Sequence, residues 1–499
     1  MGMKRIAIVG GGISGLAAAT IVERARREGA AVEFTLFERG SRLGGVMITD
    51  HVDGCLVEAG PDSFLTEKSW GLDFCRSLGL GDQIIGSNDN ERKTYILVNG
   101  RLVSIPDGLM FMVPTKLLPT ITSPLFSWST KIRMGLEYFH APKLCTNGDE
   151  SVAQLVERHY GREMVQRLAD PLLAGVYGGD AESLSAAAVL PRFVDMEKRY
   201  GSLSRGMLAA RKKMAAMMRE KHGANHQSAP RPLFSSLKAG MQQLVDAVAD
   251  FLPRESMQLN REVTAILYDG TQWRLVTAAG VEVFEGLIIA TPAQLAGRLI
   301  SGVAPPLANE LLDVSYSSSV TVTGVYDRAD LRNLPPGFGF LVPRNEGKRM
   351  LACTFVHNKF PHRAPEDRGI IRTFLGGLRD ASVLAQSDEE ILAIVRRELK
   401  EIVGLEAEPR AERVYRWNRS MAQYGPGHMA RVRHIQSASN QLHSFALAGN
   451  AYEGIGVPDC IASGTVAAAD VVEQLGLPRP QVAAKGEEKA FTRPTGVSR

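Results

Sequence analysis

Residues 5–15 read Arg5-Ile6-Ala7-Ile8-Val9-Gly10-Gly11-Gly12-Ile13-Ser14-Gly15, a short apolar strand running into a glycine-rich turn and the start of a helix. A strand, turn and helix of this kind place a pyrophosphate on a helix N-terminus, where unpaired backbone N–H groups and the helix dipole favour an anion. Gly10 permits the tight turn, Gly12 lets the backbone approach the phosphates, and Gly15 lets helix and strand pack closely. A lone GxGxxG is a weak signal, so its context decides. Here a second apolar run, Val32 to Phe37, ends in Glu38, where an acidic side chain would meet a ribose hydroxyl. The chain therefore starts as an α/β domain with a dinucleotide site.

After Glu38 comes Arg39-Gly40-Ser41-Arg42-Leu43-Gly44-Gly45. An NAD enzyme has no need of a glycine pair so soon after the ribose acid. The stretch resembles the flavoprotein family that includes amine oxidases, phytoene desaturases and protoporphyrinogen oxidases. In that family a second glycine-rich segment lies along the flavin and its phosphates. Near the other end, Phe445-Ala446-Leu447-Ala448-Gly449-Asn450 and Gly454-Ile455-Gly456-Val457-Pro458-Asp459-Cys460 read as another strand and a small-residue helix start. They would offer backbone N–H groups to the cofactor a second time. One ligand met from both ends of a chain implies FAD spread across a discontinuous domain.

At 499 residues the chain exceeds one ordinary core. Hydrophobic residues at 44% and charged ones at 22% describe a folded globular protein, and a net charge of +4 argues against nucleic acid as the main partner. Five cysteines without a CxxC pair suggest a reducing cytosol, with Cys460 a small core residue rather than a redox thiol. The start reads as a core strand, so no signal peptide is expected. No apolar run reaches the roughly 20 residues that span a bilayer.

The nucleotide-binding pieces bracket something else. The expected order begins with a first FAD-binding segment over 1–88 and a first substrate-domain segment over 89–104. A helical, membrane-associating domain over 105–231 comes next, then a second FAD-binding segment over 232–300. The substrate domain resumes over 301–411 as an α+β layer, followed by the last FAD-binding segment over 412–476 and a disordered tail over 477–499. An amphipathic helix is expected to start at Phe234, and another near 388–403. In the helical domain, Leu109-Met110-Phe111-Met112-Val113-Pro114 and Leu117-Leu118-Pro119-Thr120-Ile121 are apolar and broken by prolines, with Phe126, Trp128 and Lys131 beyond. Such a surface could dip into one leaflet. Around 205–221, Met207, Met214, Met217 and Met218 alternate with Arg211, Lys212, Lys213, Arg219 and Lys221; this is either a core-facing stripe with a solvated basic face or a face for anionic lipid. The chain is expected in the cytoplasm, peripheral on the inner face of the membrane.

Blocks in the substrate half narrow the family. Gly60-Pro61-Asp62-Ser63-Phe64-Leu65, Tyr95-Ile96-Leu97-Val98-Asn99-Gly100-Arg101-Leu102, 171–180, Gly337-Phe338-Gly339-Phe340-Leu341-Val342-Pro343 and Thr373-Phe374-Leu375-Gly376-Gly377 resemble the porphyrinogen oxidases of haem biosynthesis, nearest the Gram-positive branch. The resemblance runs from about residue 4 to 476. It implies three flavin cycles removing six electrons from a porphyrinogen, with molecular oxygen as acceptor and flavin N5 doing the chemistry. No catalytic side chain and no metal are expected, and a homodimer is admitted. The implied cofactor set is Gly10, Gly12, Ile13, Ser14, Gly15, Glu38, Arg39, Arg42, Gly44, Gly45, Gly60, Pro61, Asp62, Ser63, Val263, Gly449, Asn450, Gly456, Val457 and Pro458. Leu341 and Phe374 match an aliphatic and an aromatic residue that sandwich a pyrrole, and Gly175 a backbone stretch against the substrate.

Two departures bear on the substrate. The arginine that binds a propionate in the plant and human branch falls on Thr94, leaving Lys68 or Lys93 to take the role. Thr354 stands where the plant enzyme has leucine, making the pocket more polar. Protoporphyrinogen IX carries two propionates and coproporphyrinogen III four; the Gram-positive likeness favours the latter. The rivals are a flavin amine oxidase, against which Val457-Pro458 replaces a cage aromatic, a phytoene-type desaturase, and a non-catalytic peripheral membrane flavoprotein.

Overall fold

Lys4–Val9 and Val32–Phe37 are mostly apolar runs, the pattern of strands covered on both faces. In the computed structural model, which describes residues 2–110, 112–141, 148–222 and 231–482, they pair in parallel with Ile6 beside Phe34. The rest of this five-stranded sheet comes from far along the chain. Met257–Gln258 joins beside Val32–Phe37, Gly286–Ile289 beside Lys4–Val9, and Phe445–Leu447 beyond that, all parallel. Helices Ile13–Arg27 and Val457–Gln474 cover one face, burying Ile6, Ile8, Leu16, Val22, Leu36, Ile288 and Val471 together. The other face buries Ala7, Val9, Phe37, Trp273, Phe284 and Ile289 against a three-stranded meander. The strands' carboxyl ends share one edge, where open parallel sheets bind ligands.

A second sheet has seven strands in the order Ala411–Ala422, Tyr316–Asp327, Arg368–Gly376, Met350–Phe355, Gly339–Leu341, Thr94–Val98 and Arg101–Ser104. Only the Gly339–Leu341 and Thr94–Val98 pair is parallel. Helix Asp388–Val403, capped by the Ser387 hydroxyl accepting from the Glu390 N–H, covers its far face with Ile391, Ile394 and Val395.

Several expectations are corrected. Ala411–Ala422 pairs along Tyr316–Asp327, so the substrate sheet runs to about 422 rather than 411. Phe234–Leu237 is a strand, and the helix starts only at Gln242–Phe251. The tail is ordered at first: Leu477 and Val482 pack on the nucleotide-domain core and Arg479 pairs with Asp470 at 2.8 Å. Residues 483–499 lie outside the described residues.

In the helical domain, Met112, Val113, Leu125 and Phe126 are core, not membrane-facing surface. A run broken by prolines gives no period from which inward and outward can be told apart. Leu118, Ile121 and Trp128 of the expected surface are exposed, and Ile132, Leu136 and Phe139 extend it; the side chain of Leu117 lies outside the described residues. Met207 is buried, whereas Phe111 and the side chains of Met110, Met214, Met217, Met218, Arg219 and Lys221 lie outside the described residues. This layer is tied by buried His159, bonded to Glu137 at 2.9 Å and Glu197 at 3.2 Å. Glu137 also accepts the Leu203 and Ser204 N–H groups at the start of helix Leu203–His222. Among the described residues no helix is long and apolar enough to cross a membrane.

Candidate functional site

The glycine turn is built as its sequence dictates. Gly10 has φ +112°, and a Cβ there would lie 2.8 Å from the Ala290 carbonyl oxygen. A Cβ on Gly15 would overlap the Gly10 carbonyl oxygen. A Cβ on Gly12, by contrast, would meet nothing within 4 Å, so the N-terminus of Ile13–Arg27 faces open space. The side chain of Ser14 is buried, and Gly464 of the C-terminal helix passes so closely that any Cβ would overlap the Ser14 carbonyl oxygen. The start of the first helix is thereby packed against the middle of the last helix of the domain.

Glu38 turns its carboxylate onto the loop, accepting the Gly11 N–H at 2.8 Å and the Gly40 N–H at 2.7 Å. Gly44 donates its N–H to the Gly11 carbonyl at 2.8 Å, which lays the Gly44-Gly45 segment along Gly12. Arg42 holds that segment by donating to the Leu43, Gly45 and Met47 carbonyls; Arg39 is exposed. Val263 is buried at the start of a meander strand, just after Arg261 donates its N–H to the Glu38 carbonyl. At the far end, Gly449 donates to the Ser463 hydroxyl, Asn450 to the Ser420 carbonyl, and Gly456 to Asp459, with Val457 and Pro458 buried in the first helical turn. These residues fit FAD: an open glycine turn, the helix N-terminus behind it, and a carboxylate at the end of the second strand.

The segment 58–63 is locked to the substrate sheet by charges that sequence reading missed. Arg372 donates to the Ala59 and Gly60 carbonyls, and Trp417 to the Ala59 carbonyl at 3.0 Å. Lys359 reaches Asp62 at 3.0 and 3.1 Å and the Ser63 hydroxyl at 3.1 Å. Arg363, 1% exposed, pairs with Glu58 at 3.1 Å. Burial alone would raise the Asp62 pKa, but the Lys359 and Arg372 cations outweigh it and hold the carboxyl well below the usual carboxylate range. The one sequence signal for this was a lone cation inside the apolar run Ile370-Ile371-Arg372-Thr373-Phe374.

The substrate candidates share one face of the second sheet. Leu341 opposes Ala352, which opposes Phe374; Gly339 opposes both Thr94 and Thr354, and Thr354 opposes Arg372. These are two neighbouring cross-strand rows, two residues apart, and so on the same side of the pleat. The Arg372 guanidinium lies 4.9 Å from the Phe374 ring centre and backs that ring. A Cβ on Gly175, in helix Asp170–Tyr177, would sit 3.4 Å from Leu341 Cδ2. Lys68 is not with them: it is paired with Asp459 at 2.7 and 2.5 Å, so a free cation for a propionate is not found there. Cys460 is buried and its thiol pKa is pushed up to about 12, which leaves it protonated and unreactive.

The pattern described as flavin containing amine oxidoreductase matches residues 13–472. Coproporphyrinogen III oxidase of Bacillus subtilis (strain 168) is 32% identical over 477 residues, covering 95% of this chain and 99% of that protein. The mitochondrial protoporphyrinogen oxidase of Nicotiana tabacum is 31% identical, covering 95% of each chain. A crystal structure from Exiguobacterium sp. 255-15, named only provisionally as a protoporphyrinogen oxidase, superposes with a TM-score of 0.83 at 30% identity, covering 95% of this chain and all of that one.

Proposed function

The chain belongs to the family of flavin-containing amine oxidoreductases, and from that premise we propose that it oxidises a porphyrinogen to the porphyrin in haem biosynthesis. One observation carries this reading: the cross-strand row that sets Leu341 and Phe374 on one face, with Gly175 against Leu341. A large flat apolar macrocycle needs an apolar floor and a neighbour that leaves space, and orientation is most of what the protein must supply. Bound flavin provides the hydride acceptor. Leu341 and Phe374 pack a pyrrole, Gly175 leaves room beside it, and the Asp62, Lys359 and Arg372 group fixes the cofactor segment against the sheet. Val457 and Pro458, at the place of the aromatic cage in amine oxidases, favour a macrocycle over an amine.

We take coproporphyrinogen III as the preferred substrate and molecular oxygen as the acceptor. Thr94, which lacks the carboxylate-binding arginine, and the full-length similarity to coproporphyrinogen III oxidases support this. The test is oxidation of coproporphyrinogen III and protoporphyrinogen IX side by side in air, followed by porphyrin fluorescence. Faster turnover of coproporphyrinogen is expected; flavin-loaded protein that turns over neither refutes the oxidase reading.

We also propose that the chain is cytoplasmic and docks peripherally on the membrane through its helical domain. Trp128, Ile132 and Leu136 recur every four residues on helix Trp128–Leu136 and are 67%, 61% and 62% exposed, with Phe139 at 76% just beyond. Lys131 lies 4.7 Å from the Trp128 ring centre, a cation beside an aromatic residue suited to headgroup depth. Co-sedimentation with phosphatidylglycerol vesicles is expected, and Trp128→Ser with Phe139→Ser should abolish it; unchanged binding refutes this face.

A further inference from the structure

Beyond Leu341 and Phe374, their strands end at a cavity of about 430 Å3 lined by Arg344, Lys348, Arg349, Arg379, Asp380 and Gln386, with Ser382. Three of the four cations have carboxylate partners. Arg349 pairs with Asp380 and also donates to Gln386 at 2.8 Å, Lys348 pairs with Glu401, and Arg379 pairs with Asp170 at 2.6 Å. Glu398 is committed to the backbone N–H groups of Arg349 and Met350, at 2.9 Å each. Arg344 is exposed, and among the described residues its side chain makes no hydrogen bond or ion pair. Arg379 is only 8% exposed and its Nε has no hydrogen-bond partner. A buried guanidinium N–H left unpaired costs free energy, and the uncommitted donors that face the cavity are those of Arg344.

The position of this cavity is informative. Along the sheet, the row of Thr94, Gly339 and Thr354 comes first and the row of Leu341 and Phe374 second. Arg344, Arg349 and Arg379 follow in the same direction. The cavity therefore lies at the opposite end of the apolar floor from Thr94. Arg379 also donates to the Val342 carbonyl at 2.9 Å, and its partner Asp170 opens the helix that sets Gly175 against Leu341.

We propose that this cavity is a carboxylate subsite that takes the propionate arms at the end of the macrocycle away from Thr94. Those arms distinguish a four-carboxylate porphyrinogen from a two-carboxylate one, so the subsite sets the preference between them; this rests on the porphyrinogen reading above. Arg344 presents a planar guanidinium whose donors are uncommitted, and such a group matches a carboxylate in two parallel hydrogen bonds, with Arg379 adding positive charge behind it. A vinyl group in the same place would leave those donors unpaired, the situation in which a polar site rejects an analogue lacking the group it binds.

The test uses the FAD-loaded full chain with Arg344→Gln and Arg344→Lys. For Arg344→Gln the ratio of kcat/KM for coproporphyrinogen III over that for protoporphyrinogen IX should fall about tenfold, through KM, and Arg344→Lys should restore some of it. An unchanged ratio, or equal losses on both substrates, overturns the proposal. A second arm is independent of turnover: fluorescence titration of the same proteins with coproporphyrin III and protoporphyrin IX. Weaker binding of coproporphyrin III alone in Arg344→Gln supports the subsite, and equal affinities in variant and parent overturn it. Failure of the oxidase reading shows differently, as wild-type protein that turns over neither porphyrinogen.

Discussion

In the nucleotide cradle the shape is made by backbone, whereas in the macrocycle floor it is made by side chains. Gly10, Gly12 and Gly15 act by what they lack, leaving a turn, an opening and a close approach within six residues of chain. The floor is assembled from Thr94–Val98, Gly339–Leu341, Met350–Phe355 and Arg368–Gly376, which meet only in the folded sheet. Between them stands a buried group of charges, Glu58, Asp62, Lys359, Arg363 and Arg372, that belongs to both. The difference teaches where each region is vulnerable. The cradle fails when atoms are added; the charged seam fails when a charge is removed.

The sharpest break is Gly15→Val. Its side chain would overlap the Gly10 carbonyl, so the purified protein is expected to carry no flavin, read from its visible absorbance. Gly12→Ala sharpens the point, since its Cβ meets no protein atom: the fold should persist by circular dichroism while FAD affinity falls. Equal flavin content in Gly12→Ala and parent would mean that the opening is not the cofactor's. Next in size is Asp62→Asn, which leaves Lys359 and Arg372 without their shared counter-charge. A loss of about 3–5 kcal/mol in urea unfolding is expected for such a buried charge.

Gly175→Leu tests the floor alone. It should raise KM for the porphyrinogen or abolish turnover while flavin content stays at the parental level; loss of flavin too would show that the cradle and floor are not separable here. The smallest effect is a pH dependence in the helical layer. Burial pulls the His159 pKa down, but Glu137 and Glu197 outweigh it and raise it; burial pushes Glu197 up, but His159 and Arg158 together outweigh that and lower it to about 2. The His159 contribution is present in full below its unfolded pKa of about 6.5 and is lost as pH rises through the raised folded value; the Glu197 contribution is lost only as pH falls from about 4.3 towards 2. Melting temperature should therefore decline on the alkaline side of this window, and His159→Gln should flatten that decline.

The cradle was legible because its requirements are local: a strand, a positive φ and a close approach are all decided within residues 5–15. The substrate candidates were legible only through the resemblance, and nothing in the residues around Thr94 announces that it will pair with Gly339, some 245 positions away. Strand Ala411–Ala422 was split by the expected boundary because its polar, aromatic-rich sequence gives no sign of which sheet it joins. Phe126 and Met112 were misassigned for a related reason, since hydrophobicity alone carries no direction. The charged seam escaped because burial of an arginine depends on partners that lie hundreds of residues away.

The central parallel sheet has a consequence for biosynthesis. Its last strand, Phe445–Leu447, and the helix that follows it arrive some 150 residues after Gly286–Ile289, the strand they complete. Until then Gly286–Ile289 has an unpaired edge and the first helix lacks the partner that packs across Ser14. A ribosome-bound chain can assemble the helical layer early, from contacts close in sequence, but cannot close the cofactor domain until that strand and helix emerge. Cofactor capture is thus a late step in the life of each molecule, and chains released early by truncation should be retained by chaperones as colourless protein.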